Sequence, residues 1–393
     1  MLQLTQLPPL SLYIHFPWCV QKCPYCDFNS HAVKGGMPEK DYIAALVRDV
    51  ESHLPDIWGR SITSIFMGGG TPSLFSPEAL DQLMVELRAR LNLKPDIEVT
   101  LEANPGTVEQ GKFTEFRAIG INRLSIGIQS FNDDHLQRLG RIHNQKDAIR
   151  AAELAHDAGF DNFNLDLMFG LPQQNIEQAL RDINTAIDLE PTHISHYQLT
   201  IEPNTLFYNQ PPTLPDDDRI WAMQEQCQAV LAERGFQHYE ISAYAKDKKQ
   251  CRHNLNYWQF GDYLGIGAGA HGKISNAAQQ TITRHWKHRH PQDYLKINDG
   301  QSVLAGEKTL QQNDLILEFM MNALRLSNGV ETALFAQHTG LDIDIITPQL
   351  QKAGDHGWLD VDDTHIQPTQ QGRLFLNDLL ELFVEEEQSI QPG

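Results

Sequence analysis

The chain has few cysteines, and this scarcity excludes one class of protein. Five cysteines in 393 residues are an odd number in a large chain, whereas small secreted scaffolds are built on a dense, even set of disulfides. The sequence also lacks any run approaching the roughly 20 apolar residues of a membrane-spanning helix. Residues 1–10 show no basic region followed by an apolar run, so we expect no signal peptide. These absences predict a cytoplasmic protein with reduced thiols.

Basic residues are also scarce. Lys and Arg number 31 against 51 Asp and Glu, and the formal net charge is -20. Because the phosphate backbone selects basic surfaces, this balance excludes nucleic acid as an expected partner. The local exception is the basic stretch 284–290, whose simplest interpretation is a solvated loop.

Three of the cysteines lie close together. Cys19, Cys23 and Cys26 have the spacing C-x3-C-x2-C, which lets one loop present three thiolates to one face of a metal centre. The loop has no fourth thiolate, because position 28 is Phe28. Three ligands on a [4Fe-4S] cubane leave one iron open to bind a reactant. This spacing, with an aromatic residue directly before the last cysteine, resembles the signature of the radical SAM superfamily, whose members bind S-adenosylmethionine (SAM) there.

A zinc site is the alternative interpretation of the same loop. His15 or His31 would then supply the fourth ligand. Structural zinc usually draws its ligands as two close pairs separated by a longer gap, and the sequence contains no second pair. The cluster is therefore the preferred hypothesis.

Short apolar runs alternate with amphipathic stretches from about residue 12 to residue 200. Six strand–helix units in series predict a parallel sheet with right-handed crossovers. We therefore predict an α/β fold, a partial (β/α)6 barrel of the kind that radical SAM proteins have. An open doubly wound sheet is the alternative, but the first βα loop lacks the G-x-G-x-x-G fingerprint.

The second half of the chain has a different character. Helical patterns followed by a β-hairpin near residues 358–368 predict a small winged-helix-like α+β domain. We divide the chain into a barrel at 1–240, a glycine-rich connecting region packed on the barrel at 241–304, and a C-terminal domain at 305–393. In so acidic a protein, we interpret the last domain as a structural or protein-contact module.

Glycines and polar side chains follow the predicted strands, where a barrel gathers its chemistry because its βα loops share one face. A radical SAM site needs a backbone surface for the amino group of SAM, and Gly69, Gly70 and Thr71 follow the second strand. It also needs polar groups for the ribose and the carboxylate. The candidates are Glu102 after the third strand, Gln129 and Arg141 at and after the fourth, and Asp166 in the fifth.

Two aromatic residues complete this set of candidates. Tyr13 lies in the first strand and Tyr25 within the cysteine loop. We expect one ring to cap the cluster and the other to pack on adenine.

These motifs occur in a fixed order over about residues 11–275. They are Tyr13-x-His15-x-Pro17, C-x3-C-x-Y-C, GGGTP, EANP, SIGIQSF, GRIHN and NLDLMFGLP. Together they resemble the oxygen-independent coproporphyrinogen oxidases. The resemblance implies that Cys19, Cys23 and Cys26 hold a [4Fe-4S] cluster and that the polar and aromatic candidates hold SAM.

Two departures from the decarboxylating members of that family change the implied function. Only 18 residues precede Cys19, and Phe28 stands where those members carry a further cysteine. A subgroup of heme chaperones carries HNxxYW instead, present here at 253–258. This resemblance implies heme binding and delivery to respiratory apo-proteins, some of them at the membrane surface. Oxidative decarboxylation of coproporphyrinogen III by a SAM-derived radical is the alternative.

Heme needs an axial donor and an apolar slot for its faces. His253 is the candidate ligand in this stretch, with Cys251 as another donor. Arg252 could pair with a propionate. The simpler interpretation is that His253 only packs the sheet against the C-terminal half. Cys227, on a predicted helix, is expected in the core.

Overall fold

The structure is a computed structural model, and it describes residues 2–107, 111–297 and 301–384. Its strands are β1 (Leu10–Phe16), β2 (Trp18–Cys19), β3 (His31–Ala32), β4 (Ser61–Gly69), β5 (Asn92–Ala103), β6 (Arg123–Gln129), β7 (Phe163–Phe169), β8 (His193–Gln198), β9 (Gln237–Glu240), β10 (Ala243–Ala245), β11 (Asp262–Ile266), β12 (His271–Asn276), β13 (Thr281–Lys287), β14 (Leu304–Thr309), β15 (Val330–Glu331), β16 (Leu359–Val361) and β17 (His365–Pro368). Its α-helices are α1 (Glu39–Ile57), α2 (Pro77–Arg90), α3 (Lys112–Ile119), α4 (Asp133–Arg138), α5 (Gln145–Asp157), α6 (Ile176–Asp188), α7 (Leu206–Asn209), α8 (Asp217–Glu233), α9 (Arg252–Trp258), α10 (Pro291–Leu295), α11 (Gln312–Ala323), α12 (Ala333–Thr339), α13 (Thr347–Asp355), α14 (Gln370–Leu374) and α15 (Leu376–Glu381).

One large sheet organises the molecule. Its twelve strands have the order β14-β13-β12-β11-β1-β4-β5-β6-β7-β8-β10-β9. The seven central strands, from β11 to β8, are parallel. The strands beyond them on both sides are antiparallel. The predicted α/β fold with a mostly parallel, partial barrel is therefore confirmed, because the order of the described strands ends at β14 and β9 without closing.

The parallel strands are buried on both faces, which explains their apolar sequences. In β1, every residue except Tyr13 is buried, and helices on the outer face leave no side of such strands to water. Local signals set where those helices begin. The side chain of Ser76 accepts a hydrogen bond from the backbone of Ala79 at the start of α2. A reciprocal capping box between Asn144 and Asp147 starts α5.

The region 241–304 contributes strands to the same sheet. Its strand β11 pairs in parallel with β1, with Tyr13 opposite Gly265. The sequence predicts six parallel strands and not β11, because this five-residue strand lies within a glycine-rich stretch and shows no alternation. The basic stretch 284–290 also joins the sheet. Its interpretation as a solvated loop is wrong for residues 284–287, which belong to β13, and Lys287 is buried with its Nζ 2.5 Å from Asp49 Oδ1.

A second hydrophobic core belongs to the C-terminal module. Helices α11 to α13 pack with the small sheet β15-β17-β16, so helices precede a hairpin as predicted. The backbone N–H of Ser327 donates to Tyr239 O over 3.0 Å, which ties the module to the large sheet. Residues 385–393 of the predicted domain lie outside the described residues. Within the described ranges, no helix is both long and apolar enough to cross a membrane.

Candidate functional site

The cysteine loop opens on a cavity of about 320 Å³, here called the thiol cavity, which is lined by Cys19, Cys23 and Cys26. The cavity also runs along the strands. Both Gln129, the last residue of β6, and Ser125, its third residue, line it. The thiols therefore lie at the carboxyl end of the parallel strands, where this architecture gathers its chemistry.

Each thiol has at least one polar neighbour that holds it in place. Thr71 Oγ1 donates to Cys19 Sγ over 3.5 Å, and Ser30 Oγ lies 3.6 Å from Cys26 Sγ. Arg141 Nη1 donates to Cys23 Sγ over 3.6 Å. Burial raises the pKa of the Cys19 thiol, so this thiol is neutral by itself. A bound metal centre would favour the thiolate, because its positive charge reverses the local preference.

The donor set fits a polynuclear cluster better than a single ion. Among the described residues, no three His, Cys, Asp or Glu side chains are grouped as the ligands of one metal ion are. A zinc ion needs its donors within about 2.3 Å of one atom, whereas a cubane spreads its cysteines over different irons. His15 is also unsuited as a fourth ligand. Its Nδ1 lies 3.0 Å from Tyr13 Oη and its Nε2 lies 2.9 Å from Asn29 O.

The glycine-rich turn after β4 passes very close to the cysteine loop. Gly70 N donates to Phe16 O and Thr71 N donates to Trp18 O, each over 2.7 Å. A Cβ at position 70 would lie 2.5 Å from Trp18 O. Gly69 has φ +110° and a Cβ there would lie 2.4 Å from the His15 ring. Only glycine allows this approach, which fixes the turn beneath the thiols.

Glu102 extends from the end of β5 into the same space. The pKa of Glu102 is raised to about 8, chiefly by burial and also by the negative charge of Asp166, while a hydrogen bond from Gly69 N acts in the opposite direction. The carboxyl group is therefore largely protonated at neutral pH. A cationic ligand placed beside it would restore the carboxylate.

Asp166 lies deeper in the cavity and is held by polar neighbours. Asn164 Nδ2 donates to Oδ1 over 2.7 Å and Ser125 Oγ donates to Oδ2 over 3.2 Å. Burial raises the pKa of Asp166, and these hydrogen bonds partly offset that effect. The side chain is thus fixed in orientation, which suits a positioning contact.

Gln129 is held in an uncommon backbone conformation. Its φ is 71°, and the β6–β7 register shifts between Gly127 and Gln129. Strained residues of this kind cluster where a side chain must be aimed at a ligand. Tyr197 Oη donates to Gln129 Oε1 over 2.7 Å, and Arg141 Nη2 donates to Gly127 O over 2.7 Å.

Tyr197 and Ser195 were missed from the sequence although both line the thiol cavity. They lie on β8, the last of the parallel strands. Both residues lie on the strand next to the one that carries Asp166. Alternate residues of each barrel strand point inward, so this position in the sequence indicates that Ser195 and Tyr197 face the same interior.

The structure separates the two predicted aromatic residues. Tyr25 lines the thiol cavity, and its phenol lies beside Arg141, while burial raises its pKa. Tyr13 instead lines a second cavity of about 870 Å³. This space, here called the aromatic cavity, has ring-bearing side chains over much of its wall, including Phe28, His253, Tyr257, Tyr263, His271 and Trp286.

Helix α9 forms a wall shared by the two cavities. His253 and Tyr257, four residues apart on one side of the helix, line the aromatic cavity. Asn254 and Trp258, each one position further on, line the thiol cavity. Glu102 lines both. The two cavities are therefore direct neighbours, and the HNxxYW stretch contributes to each.

His253 is placed as a neutral imidazole. Its Nδ1 lies 3.2 Å from Ser64 Oγ, and its ring centroid lies 5.1 Å from that of Phe66. Burial lowers the pKa of His253 to about 3, and the positive charge of Arg123 acts in the same direction. Neutral imidazole is the form that binds a metal.

The other candidates of that stretch lie elsewhere. Cys251 is fully buried with its Sγ 3.7 Å from Glu98 Oε1. Arg252 donates to Asp96 O over 2.6 Å and to Asp96 Oδ2 over 3.1 Å on the exposed side of the helix, so it lines neither cavity. Cys227 is buried in α8, and burial raises its pKa to about 12.

The comparisons with known proteins agree with this geometry. A family model of the radical SAM superfamily matches residues 13–186, and one of the HemN C-terminal domain matches residues 310–375. The solved structure of coproporphyrinogen III oxidase (HemN) from Escherichia coli, described as a radical SAM enzyme, superposes with a TM-score of 0.81. The superposition covers 96% of this chain and 90% of the HemN chain, and the two sequences are 23% identical. The fold and the thiol cavity thus define a radical SAM protein.

Full-length relatives narrow this class. Heme chaperone HemW of Escherichia coli (strain K12) is 51% identical over 383 residues, which are 98% of this chain and 100% of that protein. Heme chaperone HemW of Haemophilus influenzae is 52% identical over 388 residues, with the same coverage. Heme chaperone HemW of Bacillus subtilis is 34% identical over 96% of this chain and 99% of its own length. The chain belongs to the HemW family.

Proposed function

We propose that this protein is a heme chaperone built on a radical SAM core, which binds heme and delivers it to respiratory apo-proteins. The observation that carries the proposal is the adjacency of two cavities of different chemistry. One is lined by three thiols and polar side chains, and the other by aromatic rings and a neutral imidazole. The names of the full-length relatives support the same function.

Cys19, Cys23 and Cys26 are the proposed ligands of a [4Fe-4S] cluster in the thiol cavity. When bound, the cluster supplies an open iron for the amino and carboxylate groups of SAM. The protein's own contribution is to hold each thiol through Thr71, Ser30 and Arg141.

The residues around the thiols are the proposed SAM contacts. Gly69, Gly70 and Thr71 offer backbone polar groups at the turn. Glu102, Gln129, Arg141 and Asp166 offer side-chain donors and acceptors, and Tyr25 offers a ring in the same cavity. We assign Tyr13 to this set as well, although it faces the space on the other side of Glu102.

Heme is proposed to bind in the aromatic cavity, with His253 as an axial ligand. Its volume of about 870 Å³ lies within the range of cofactor pockets. His15 has both ring nitrogens engaged. In the described part of the chain, His253 has only Nδ1 in a hydrogen bond. Nε2 of His253 is therefore the ring nitrogen that we assign to the iron.

The cytoplasm is the proposed location, because an iron–sulfur cluster on free thiols persists in a reducing compartment. The five cysteines are all free in the structure. The proposed recipients are heme-accepting proteins of respiration at the membrane surface.

Oxidative decarboxylation of coproporphyrinogen III is the competing function, and one observation favours it. The fold matches the HemN structure over most of both chains. A chaperone and an oxidase would bind similar macrocycles, so binding alone does not separate them.

One experiment addresses both functions. Purified protein with a reconstituted cluster is titrated with hemin and followed by its Soret absorbance. The same preparation is incubated anaerobically with SAM, a reductant and coproporphyrinogen III, and the products are analysed. We expect stoichiometric heme binding and no protoporphyrinogen. Multiple turnovers to protoporphyrinogen would restore the oxidase hypothesis.

A further inference from the structure

One arginine at the aromatic cavity has no matching acid. Arg289 lines this cavity and is exposed. Within the described ranges its guanidinium makes no ion pair and no hydrogen bond, and only its backbone carbonyl is engaged, by Asn29 Nδ2 over 2.9 Å. A guanidinium stays charged at all physiological pH values. An unmatched cation at the edge of a ring-lined cavity indicates a ligand that carries an anionic group.

The two other arginines of this neighbourhood are already neutralised. Arg284 donates from Nε to both carboxylate oxygens of Glu318 at 2.9 and 2.8 Å. Its Nη1 donates to Tyr263 Oη over 2.7 Å. Arg252 is bound to Asp96, away from the cavity. Arg289 is therefore the arginine whose donors are available to a ligand.

The segment that carries Arg289 is fixed by contacts with the cysteine loop. Asn29 Nδ2 also donates to Ala268 O over 2.9 Å, and Gly269 N donates to His288 O over 2.9 Å. These bonds hold the backbone of residues 268–269 and 288–289 together at the mouth of the cavity, and they leave the side chain of Arg289 unbound. The backbone at Arg289 is thus held in place before a ligand binds, and only the side chain has to be ordered on binding.

The rim around Arg289 is locally positive although the whole chain is acidic, with a formal net charge of -20. Burial lowers the pKa of His31, and its neighbours His290, Lys22 and Arg289 lower it further; of these, Lys22 and Arg289 carry a positive charge. Burial likewise lowers the pKa of His271, with Arg284 and Arg289 acting in the same direction. Such a positive rim attracts an anionic ligand to the mouth of the cavity.

We propose that Arg289 binds a carboxylate of the macrocycle, a propionate in the case of heme, and so sets its orientation in the aromatic cavity. This inference rests on the proposed heme-binding function. The apolar rings contact the faces of the macrocycle, and its carboxylates lie at the rim, where the planar fork of Arg289 pairs with one of them. Heme then enters with its propionates toward solvent and with one face toward His253 of α9.

The test uses two ligands that differ only in their anionic groups. Hemin and hemin dimethyl ester, in which both propionates are methylated, are titrated into the full-length protein in the same detergent-containing buffer. The variants are Arg289→Gln, Arg289→Lys and the matched control Arg252→Gln. Arg289 is exposed, so its substitution leaves the cores intact, and circular dichroism verifies this.

The expected pattern separates charge from packing. Arg289→Gln weakens hemin binding by roughly tenfold, the scale of one charge-assisted contact, and leaves the affinity for the dimethyl ester unchanged. Arg289→Lys retains part of the affinity, because the charge remains and the bidentate fork is lost. Arg252→Gln binds both ligands as the unmodified protein does.

Two results would overturn the inference while the heme-binding function stands. In one, Arg289→Gln binds hemin with unchanged affinity. In the other, it loses the same affinity for hemin and for the ester, which assigns the effect to packing. If the unmodified protein binds neither ligand, the proposed function fails and the inference fails with it.

Discussion

The backbone N–H of Gly69 donates a 3.0 Å hydrogen bond to Oε2 of Glu102. This bond joins the carboxyl ends of β4 and β5, and both residues line the thiol cavity and the aromatic cavity. Glu102 is thus a buried carboxyl group at the boundary between two binding spaces. Its charge state depends on what occupies either space.

The raised pKa of Glu102 predicts a pH dependence of stability. Because the folded protein binds this proton more tightly than the unfolded chain, protonation favours the folded state. The free energy of unfolding should therefore fall as pH rises from the ordinary value of 4.5 to about 8. The full effect is on the order of 5 kcal/mol. Denaturant titrations of the protein without SAM at several pH values measure it.

Glu102→Gln is the matched variant for that measurement. It keeps the shape of the side chain and removes its titration. The difference in unfolding free energy between the two proteins should therefore change with pH over this interval only. A difference that stays constant from pH 5 to pH 9 would show that Glu102 titrates normally.

Replacement of a cluster ligand should abolish cluster assembly. In Cys19→Ser, Cys23→Ser or Cys26→Ser, two remaining thiolates cannot hold a cubane against solvent. We expect reconstituted iron to fall from four atoms per chain to a small residue, by iron analysis and loss of the absorbance near ~400 nm. Cys227→Ser is the control, because Cys227 is buried away from the cavity in α8. Normal iron content in Cys23→Ser would refute the ligand assignment.

Removal of the SAM contacts should weaken SAM binding while the cluster remains. Gln129→Ala and Glu102→Ala each delete one polar contact, worth about 1–3 kcal/mol. Arg141→Ala should have the largest effect of the three, because Arg141 also contacts Cys23 Sγ and Gly127 O. Equilibrium dialysis with labelled SAM gives the affinities. Arg138→Ala is the matched arginine control, since Arg138 bonds Pro172 O outside the cavity. Equal affinity in all variants would place the SAM site elsewhere.

The architecture and the thiol cavity follow from local sequence patterns. Each predicted strand of the parallel sheet has its own apolar run, and the residues after it reach a common edge because parallel strands end together. The sequence therefore predicts, without knowledge of tertiary contacts, that one cavity gathers Cys19, Gly70 and Gln129. Strand β11 is not, because its five residues are recognisable only beside β1.

The aromatic cavity depends on contacts between distant parts of the chain. Asn29 and Arg289 lie 260 positions apart and meet through one hydrogen bond. No local pattern indicates that Arg289 lies on the cavity or that Arg252, close to His253 in sequence, turns away to Asp96. Tyr13 faces the aromatic cavity for a similar reason, since the pairing of β11 with β1 brings Tyr263 to the wall of the same cavity. Beyond the first six parallel strands of the sheet, residues that are distant in sequence become neighbours in space, and residues that are close in sequence can face different surroundings.

The last prediction concerns the heme ligand. His253→Ala should abolish tight heme binding and leave iron content and SAM affinity unchanged. His253 lines the aromatic cavity only, and its ring is neutral because burial lowers its pKa to about 3. Hemin titration should show the loss of the Soret band of histidine-ligated heme, and added imidazole should restore part of it by filling the space left by the ring.

His156→Ala is the matched control, because His156 lies on the surface of α5 with its Nε2 3.0 Å from Leu189 O. An unaltered heme spectrum in His253→Ala would contradict the assignment of His253 as the ligand and would transfer that role to another donor on the cavity wall. The other candidate is His271, which lines the same cavity and whose imidazole makes no hydrogen bond in the described part of the chain.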